Sequence, residues 1–366
     1  MTVREVCEVL ERLAPPSLAY SWDRAGLAIG EPSQEVKGVL AALSVTRETF
    51  AAAKRAKANQ IVSHHPLIWE PMRALRTDDP HTALCLELAH AGVSCYSAHT
   101  NLDVVPGGVN AVLAERLGLT ALKSLLDVPH AMQVKLVTFV PESHLPAVRD
   151  AVCDAGAGII GDYTHCTFSA AGTGTFLPGE KASPFSGKKH QVNEEPERRF
   201  EVLVPSGRLS DALRALLQAH PYEEPAYDVV PLQGVDPAVS LGLRGELPKP
   251  ITLGAFAAQV RMNLDVSHVR VVGDLKHKVR HVAVLGGAGG SEAAHIPGGV
   301  DVLVTGDVDY HDALAAQERG LAIVDAGHVG TEKWIVPALV RRLRGVFPKL
   351  RMVSHTERDP FRIVVK

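Results

Sequence analysis

The sequence lacks the features that mark membrane, secreted or strongly charged proteins. Its 366 residues contain no uninterrupted apolar run long enough to cross a bilayer, which takes about 20 residues. The N-terminal stretch MTVREVCEVLERLAP is charged throughout and has no apolar signal-peptide core. The net charge of −3 gives no indication of nucleic acid or an anionic membrane as partner, although it is compatible with a local basic patch. We therefore expect a soluble, cytoplasmic protein.

Cysteine is also scarce. The five cysteines are odd in number and show no CxxC spacing. This argues against a disulfide framework and against a zinc site built from thiolates, and it is typical of a reducing cytoplasm. Histidine is abundant by contrast, with 17 residues, which directs attention to ligand chemistry.

The order of apolar segments predicts an α/β fold made of two pseudo-symmetric halves. Strand-like runs alternate with helical patterns in the first third of the chain, and the last third repeats this order. IVSHHP (61–66) corresponds to VLVTGD (302–307), and CYSAHTNLD (95–103) corresponds to IVDAGHVGTE (323–332). Alternation of this kind predicts parallel or mixed sheets covered on both faces by helices.

A different segment lies between the halves. Residues 134–156 and 198–220 each read as a strand that ends in Val-Pro and is followed by an amphipathic helix. Two such units predict an inserted ferredoxin-like α+β domain. The stretch 172–199 is rich in glycine, proline and charge, so we expect a long exposed loop there. The predicted domains are 1–128, 129–232 and 233–366.

Polar residues gather where the predicted strands end, which is where open parallel sheets bind their ligands. The adjacent histidines at 64 and 65 either face one metal ion each or border one dinuclear site. The simpler alternative is a surface turn with two solvated rings. Because histidines and carboxylates recur at the strand ends of both halves, we favour the metal site. The candidate ligands are His64, His65, Asp103, His328 and Glu332.

The chemistry of these ligands suits a catalytic site better than a structural one. Imidazole and carboxylate groups without cysteine fit two divalent ions such as Zn, Fe or Mn, and they leave positions open for water. His99 and His311 are candidates for further ligands or for proton transfer.

A glycine run at 284–290 is a candidate for binding phosphate. Backbone N–H groups at Gly287, Gly289 and Gly290 would face the anion at the start of a helix. The run lacks the Gly-Lys-Ser ending of a P-loop and the GxGxxG spacing, and a tight turn explains it equally well.

Several motifs, in this order, resemble those of the GTP cyclohydrolase 1 type 2 homologue family, also called Nif-three-like. They are SHHPLIW, SAHTNLDVVPGGVN, GLRGELP, TGDVDYHDAL and DAGHVGTEKW. GTFLPGE and HPYEEPAYDV are similar to the PII-like or CutA-like insert of longer bacterial members. The resemblance implies a dinuclear metal site on the same five residues, two α/β halves and a toroidal homohexamer.

The family name implies a metal-dependent hydrolase that opens the imidazole ring of GTP and releases formate, with His99 or His311 moving protons. One alternative is a metal-dependent phosphoester or nucleotide hydrolase, which would release phosphate or a nucleoside without formate. Another is a non-enzymatic regulatory scaffold, in which the insert senses a small molecule and the metal is structural or stored.

Overall fold

The computed structural model describes residues 1–128, 132–235 and 239–364. The chain divides into two compact units. Met1–Val128 with Pro237–Lys366 form the main unit, and Pro129–Asp236 form the insert unit. Over the described ranges, no helix has both the length and the apolar composition needed to cross a membrane.

The secondary structure alternates between strands and helices in both units. The strands are β1 (Gly26–Ile29), β2 (Val39–Ala42), β3 (Gln60–Ser63), β4 (Ser94–Ser97), β5 (Thr120–Leu126), β6 (Met132–Val140), β7 (Thr167–Phe176), β8 (Asn193–Pro205), β9 (Tyr227–Val235), β10 (Leu241–Thr252), β11 (Arg270–Val272), β12 (Lys278–Ala288), β13 (Val302–Gly306), β14 (Ala322–Asp325) and β15 (Met352–Ser354). The α-helices are α1 (Val3–Leu13), α2 (Arg47–Ala56), α3 (Pro80–His90), α4 (Thr100–Val104), α5 (Val109–Leu117), α6 (Leu145–Asp154), α7 (Leu209–Ala219), α8 (Leu253–Asn263), α9 (Tyr310–Glu318), α10 (His328–Glu332) and α11 (Ile335–Val346).

The main unit contains two mixed sheets. The first has the order β1-β4-β3-β2-β15, in which only β1 runs antiparallel to its neighbour. The second has the order β11-β14-β13-β12-β10-β5, in which β12, β13 and β14 are parallel. Each sheet therefore carries three neighbouring parallel strands in chain order. The predicted α/β fold with parallel or mixed sheets is confirmed at this level.

The two sheets exchange edge strands across the predicted domain boundaries. β5 belongs to the N-terminal segment of the chain, yet it pairs with β10 in the second sheet. β15 belongs to the C-terminal segment, yet it pairs with β2 in the first sheet. As a result, the N- and C-terminal segments form one compact unit.

Burial of the central strands explains why polar groups collect at the strand ends. All residues of β2, β3 and β4 are buried, and side chains such as Phe50 of α2 and Leu88 of α3 cover the first sheet. Phe256 of α8 and Leu113 of α5 cover one face of the second sheet. A charged side chain within these strands would lose its hydration, so the charged and metal-binding groups lie at the strand ends.

The insert unit is a four-stranded antiparallel sheet with the order β7-β8-β6-β9. Helices α6 and α7 pack on it through a core that includes Leu136, Val148, Phe200 and Leu216. The prediction of a long loop over 172–199 is wrong at both ends of that range. β7 and β8 pair as far as Phe176 and Asn193, because polar and glycine residues are accepted on strands whose side chains remain solvated.

Candidate metal centre

Two adjacent histidines leave the end of β3 with their Nε2 atoms directed to one side. His64 is completely buried and donates from Nδ1 to the Ala98 carbonyl at 2.8 Å. Nδ1 of His65 lies 2.8 Å from the Ser44 hydroxyl. Each ring is thus fixed through Nδ1, and the two ring centroids are 5.0 Å apart. The solvated surface turn considered from the sequence does not describe this arrangement.

Helix α10 contributes Glu332 and His328, which are one helical turn apart. Glu332 is only 4% exposed, and its Oε2 lies 2.9 Å from His65 Nε2 and 3.1 Å from His328 Nε2. Its other oxygen, Oε1, lies 3.6 Å from His64 Nε2. A single carboxylate therefore connects two groups of ligand atoms.

Asp103, on α4, completes the group around His64. Its Oδ1 lies 3.5 Å from His64 Nε2. Both atoms are buried, and neither has a hydrogen-bond partner within the described part of the chain. Two ligands that bind one tetrahedral ion at about 2.1 Å are themselves about 3.4 Å apart. His64 Nε2 and Asp103 Oδ1 are therefore spaced as two ligands of one divalent ion would be.

The electrostatics of the cluster favour positive charge between the carboxylates. Burial disfavours a charged His64, but Glu332 and Asp103 outweigh this effect and raise the pKa of His64 to about 9. The hydrogen bond to Glu332, with a further contribution from Asp307, raises the pKa of His328 to about 9. Burial raises the pKa of Asp103 to about 6. Burial, by contrast, lowers the pKa of His65.

His99 lies beside this cluster and has its own carboxylate partner. Its Nδ1 donates to Asp23 Oδ1 at 2.9 Å, and Asp23 Oδ2 accepts from the Thr100 amide at 3.0 Å. The His99 ring centroid is 5.2 Å from that of His64 and 5.8 Å from that of His65. The ligand nitrogens of these three histidines lie within 4.8 Å of one another, as do the ligand atoms of the His65, His328 and Glu332 group.

His328 is also oriented by a carboxylate. Asp307 Oδ2 accepts from His328 Nδ1 at 2.7 Å, which directs Nε2 towards Glu332. Asp307 follows β13 immediately and has a positive φ of 52°, so the turn that carries this carboxylate is unusual for a residue other than glycine. A carboxylate behind a histidine is the usual arrangement around a metal site.

His311 is separate from the cluster. It lies in the first turn of α9, it is exposed, and its ring contacts the ring of Tyr310 at 5.5 Å. Across the residues that the structure describes, no hydrogen bond or ring contact connects it to the other candidate residues. The role predicted for His311 stays a prediction.

The glycine run has a structural explanation. A Cβ at Gly287, where φ is +68°, would lie 2.2 Å from Glu332 Oε1, so glycine makes room for that carboxylate. The N–H groups of Gly287 and Gly289 already donate to threonine hydroxyls at 3.0 and 3.1 Å. Gly290 precedes a short 3₁₀ helix at Ser291–His295. Two of the three candidate N–H groups therefore already have acceptors, and phosphate binding by this run stays a prediction.

Sequence reasoning did not identify Asp23 or Ser44. Asp23 lies in the turn SWDRAG before β1, 76 residues from His99, and nothing in its spacing relates it to the other site residues. Ser44 follows β2, at the same sheet edge as His65, so the strand-end argument extends to it.

Comparison with known proteins identifies relatives along the whole chain. The profile of the Duf34/NIF3 family (NGG1p interacting factor 3) matches residues 1–360. A Halalkalibacterium halodurans protein named GTP cyclohydrolase 1 type 2 homolog is 39% identical over 365 residues, which is 98% of each chain. The Bacillus subtilis protein of the same name is 36% identical over 364 residues, covering 98% of this chain and 97% of the relative. The crystal structure of a Bacillus cereus protein related to NIF3 has a TM-score of 0.86 at 40% identity, covering 100% of this chain and 99% of the other.

Proposed function

Because the chain belongs to the Duf34/NIF3 family, as its motifs predicted, we propose that it is a metal-dependent hydrolase with a dinuclear site. The observation that supports this proposal best is the pair of buried atoms His64 Nε2 and Asp103 Oδ1, which lie 3.5 Å apart and have no hydrogen-bond partner in the described part of the chain. A buried polar atom without a partner costs free energy, and an ion between the two would remove that cost.

The ligands divide into two groups that share Glu332. One ion would be held by His64, Asp103 and Oε1 of Glu332. The other would be held by His65, His328 and Oε2 of Glu332. When bound, two divalent ions lower the pKa of a water molecule and stabilise developing negative charge on oxygen. Nitrogen and carboxylate ligands without cysteine suit Zn, Fe or Mn.

His99 is the residue best placed to move a proton. Asp23 accepts from its Nδ1, so Nε2 is left to take a proton from water and return it to a leaving group. We propose that the reaction opens a purine imidazole ring, in line with the name of the relatives, and we retain phosphoester hydrolysis as the alternative. A turnover assay with GTP distinguishes them, because ring opening at C8 yields formate and phosphoester hydrolysis yields phosphate without formate.

Metal analysis of purified variants tests the site itself. We expect about two equivalents of metal in the unmodified chain and a loss of metal in His65→Ala and Glu332→Gln, with the fold retained by circular dichroism. Glu318→Gln, which changes an exposed carboxylate on α9, is the matched control and should keep its metal. Full retention of metal by both site variants would refute the proposal.

A second candidate function, ligand sensing by the insert, is supported by a cavity of about 760 Å³ within the insert unit. We propose that this unit is ferredoxin-like, since its strand order and two helices follow that pattern. The cavity lining includes Phe139, Phe185, Arg199 and Tyr222. Native mass spectrometry of the purified chain should show a bound small molecule that is absent from Gly172→Trp, where a Cβ meets open space. Identical spectra would exclude this function.

The homohexamer implied by the family resemblance stays a prediction. Light scattering coupled to size-exclusion chromatography measures the mass of the assembly directly. A mass of six chains of 39.2 kDa is expected.

A further inference from the structure

Two of the three tryptophans of the chain lie at the surface next to His99. Trp22 is 52% exposed and Trp69 is 46% exposed, and their ring centroids are 5.7 Å apart. Tyr20 stacks on Trp22 with a centroid distance of 5.6 Å and an interplanar angle of 14°. We call Tyr20, Trp22 and Trp69 the aromatic rim. Large aromatic side chains left half exposed as a group mark a binding surface more often than scattered exposed residues do.

The rim is continuous with the candidate metal centre through His99. The Trp69 ring lies edge-on to the His99 ring at 5.5 Å, and the Trp22 ring lies edge-on to it at 6.3 Å. His99 is in turn 5.2 Å from the His64 ring. Only the His99 ring therefore separates a molecule bound against either indole from the residues proposed to hold the metal.

The turn that carries Trp22 is anchored, although the indole itself is exposed. The Tyr20 amide donates to the Thr100 hydroxyl at 3.1 Å. The Asp23 carboxylate accepts from both the amide and the hydroxyl of Thr100, which lies at the start of α4. Arg24 donates to the Trp22 carbonyl at 2.9 Å. An aromatic surface held in place by its backbone binds with little loss of conformational freedom.

We propose that the aromatic rim binds the flat heteroaromatic ring of the substrate, of nucleobase size, and holds that ring rather than a phosphate beside the metals. The tilt of 52° between the two indoles suits stacking of a ligand ring on one indole while the other contacts its edge. Stacking of this kind accepts any base, since every base has a π face. This inference rests on the proposed function, because the metal centre identifies the ring as the part of the substrate that reacts. Binding of the ring at the aromatic rim does not itself require the metal.

Equilibrium dialysis with the full-length, metal-free protein tests the rim separately from the metal centre. The probes are guanosine, guanosine 5′-monophosphate and ribose 5-phosphate. We expect the two ring-containing probes to bind and the sugar phosphate not to bind. Trp22→Ala and Trp69→Ala should each raise the Kd for guanosine about 10-fold, which corresponds to about 1.4 kcal/mol.

Two control variants show whether a loss of affinity is specific to the aromatic rim. Trp69→Phe retains an aromatic face and should lose less affinity than Trp69→Ala. Phe361→Ala removes another exposed aromatic side chain of the main unit and should leave the Kd unchanged. The proposal is overturned if ribose 5-phosphate binds as tightly as the nucleotide, if both alanine variants keep the original Kd, or if neither guanosine nor guanosine 5′-monophosphate binds. Failure of the metal proposal would appear only in the separate metal analysis.

Discussion

Replacement of Asp23 by asparagine gives a prediction whose size follows from the structure. The Asp23 side chain is fully buried, and it accepts hydrogen bonds from His99, from the amide and hydroxyl of Thr100 and from the Arg24 amide. Burial by itself would raise the pKa of Asp23, but these hydrogen bonds, led by that from His99, lower it from 3.8 to about 2. Since one pKa unit corresponds to about 1.4 kcal/mol, the ionised carboxylate stabilises the folded chain by about 2 kcal/mol.

The pH dependence of this effect has a definite sign. A carboxyl group whose pKa is lowered on folding stabilises the protein fully above its ordinary pKa, and this stabilisation is lost as the pH falls from 3.8 towards 2. We expect Asp23→Asn to lower the free energy of unfolding of the metal-free protein by about 2 kcal/mol at neutral pH, and by about half as much near pH 3. Urea denaturation monitored by circular dichroism measures both values.

A matched control separates this effect from a general loss of charge. Asp78 is exposed and ion-paired with Arg76, and exposed pairs of this kind contribute about 0–1 kcal/mol. Asp78→Asn should therefore change stability much less than Asp23→Asn. The reasoning would be refuted if the two variants had equal stability at neutral pH, or if the deficit of Asp23→Asn did not shrink in acid.

Two further predictions concern the neighbourhood of His328. Asp307→Asn should weaken metal binding about 10- to 100-fold, because the hydrogen bond that orients His328 Nδ1 is weakened. Competition with a metallochromic chelator measures the metal affinity. Asp309→Asn is the control, because asparagine can also cap the N-terminus of α9. Equal metal affinities in the two variants would contradict the prediction. Gly306→Ala would place a Cβ 2.6 Å from the Gly327 carbonyl carbon and 2.7 Å from the His328 amide nitrogen, so it should cost about 1–3 kcal/mol and reduce bound metal. Gly345→Ala, on α11 with open space around the new Cβ, should be neutral or stabilising in thermal unfolding, and a destabilisation equal to that of Gly306→Ala would refute the steric explanation.

The fold was predictable where local pattern and burial agree. The strand before His64 and the helix that follows Thr46 are visible in the sequence, because apolar runs and a capping threonine are local signals. The short helices α4 and α10 have no sequence signal of their own, since five residues are too few to show helical periodicity. Asp103 and Glu332 lie on these helices, so the sequence indicated the residues but not the elements that carry them.

The exchange of β5 and β15 between the two sheets was not predictable from the sequence. Strand pairing is set by side-chain packing and by long-range hydrogen bonds, and neither leaves a local signal at the edge of a sheet. The same holds for the hairpin strands that replace both ends of the loop expected over 172–199, where pairing between β7 and β8 decides the structure of polar segments.

The sequence by itself determined the family, the alternation of strands and helices and the residue types available for metal chemistry. The reason is that motifs and periodicity are properties of the chain alone. Only the tertiary structure decided that Glu332 lies 2.9 Å from His65, 267 residues away, that Asp23 supports His99, and that Trp22 and Trp69 meet at the surface beside them. These contacts depend on how the ends of separate strands and helices converge in space, and no local pattern encodes that convergence.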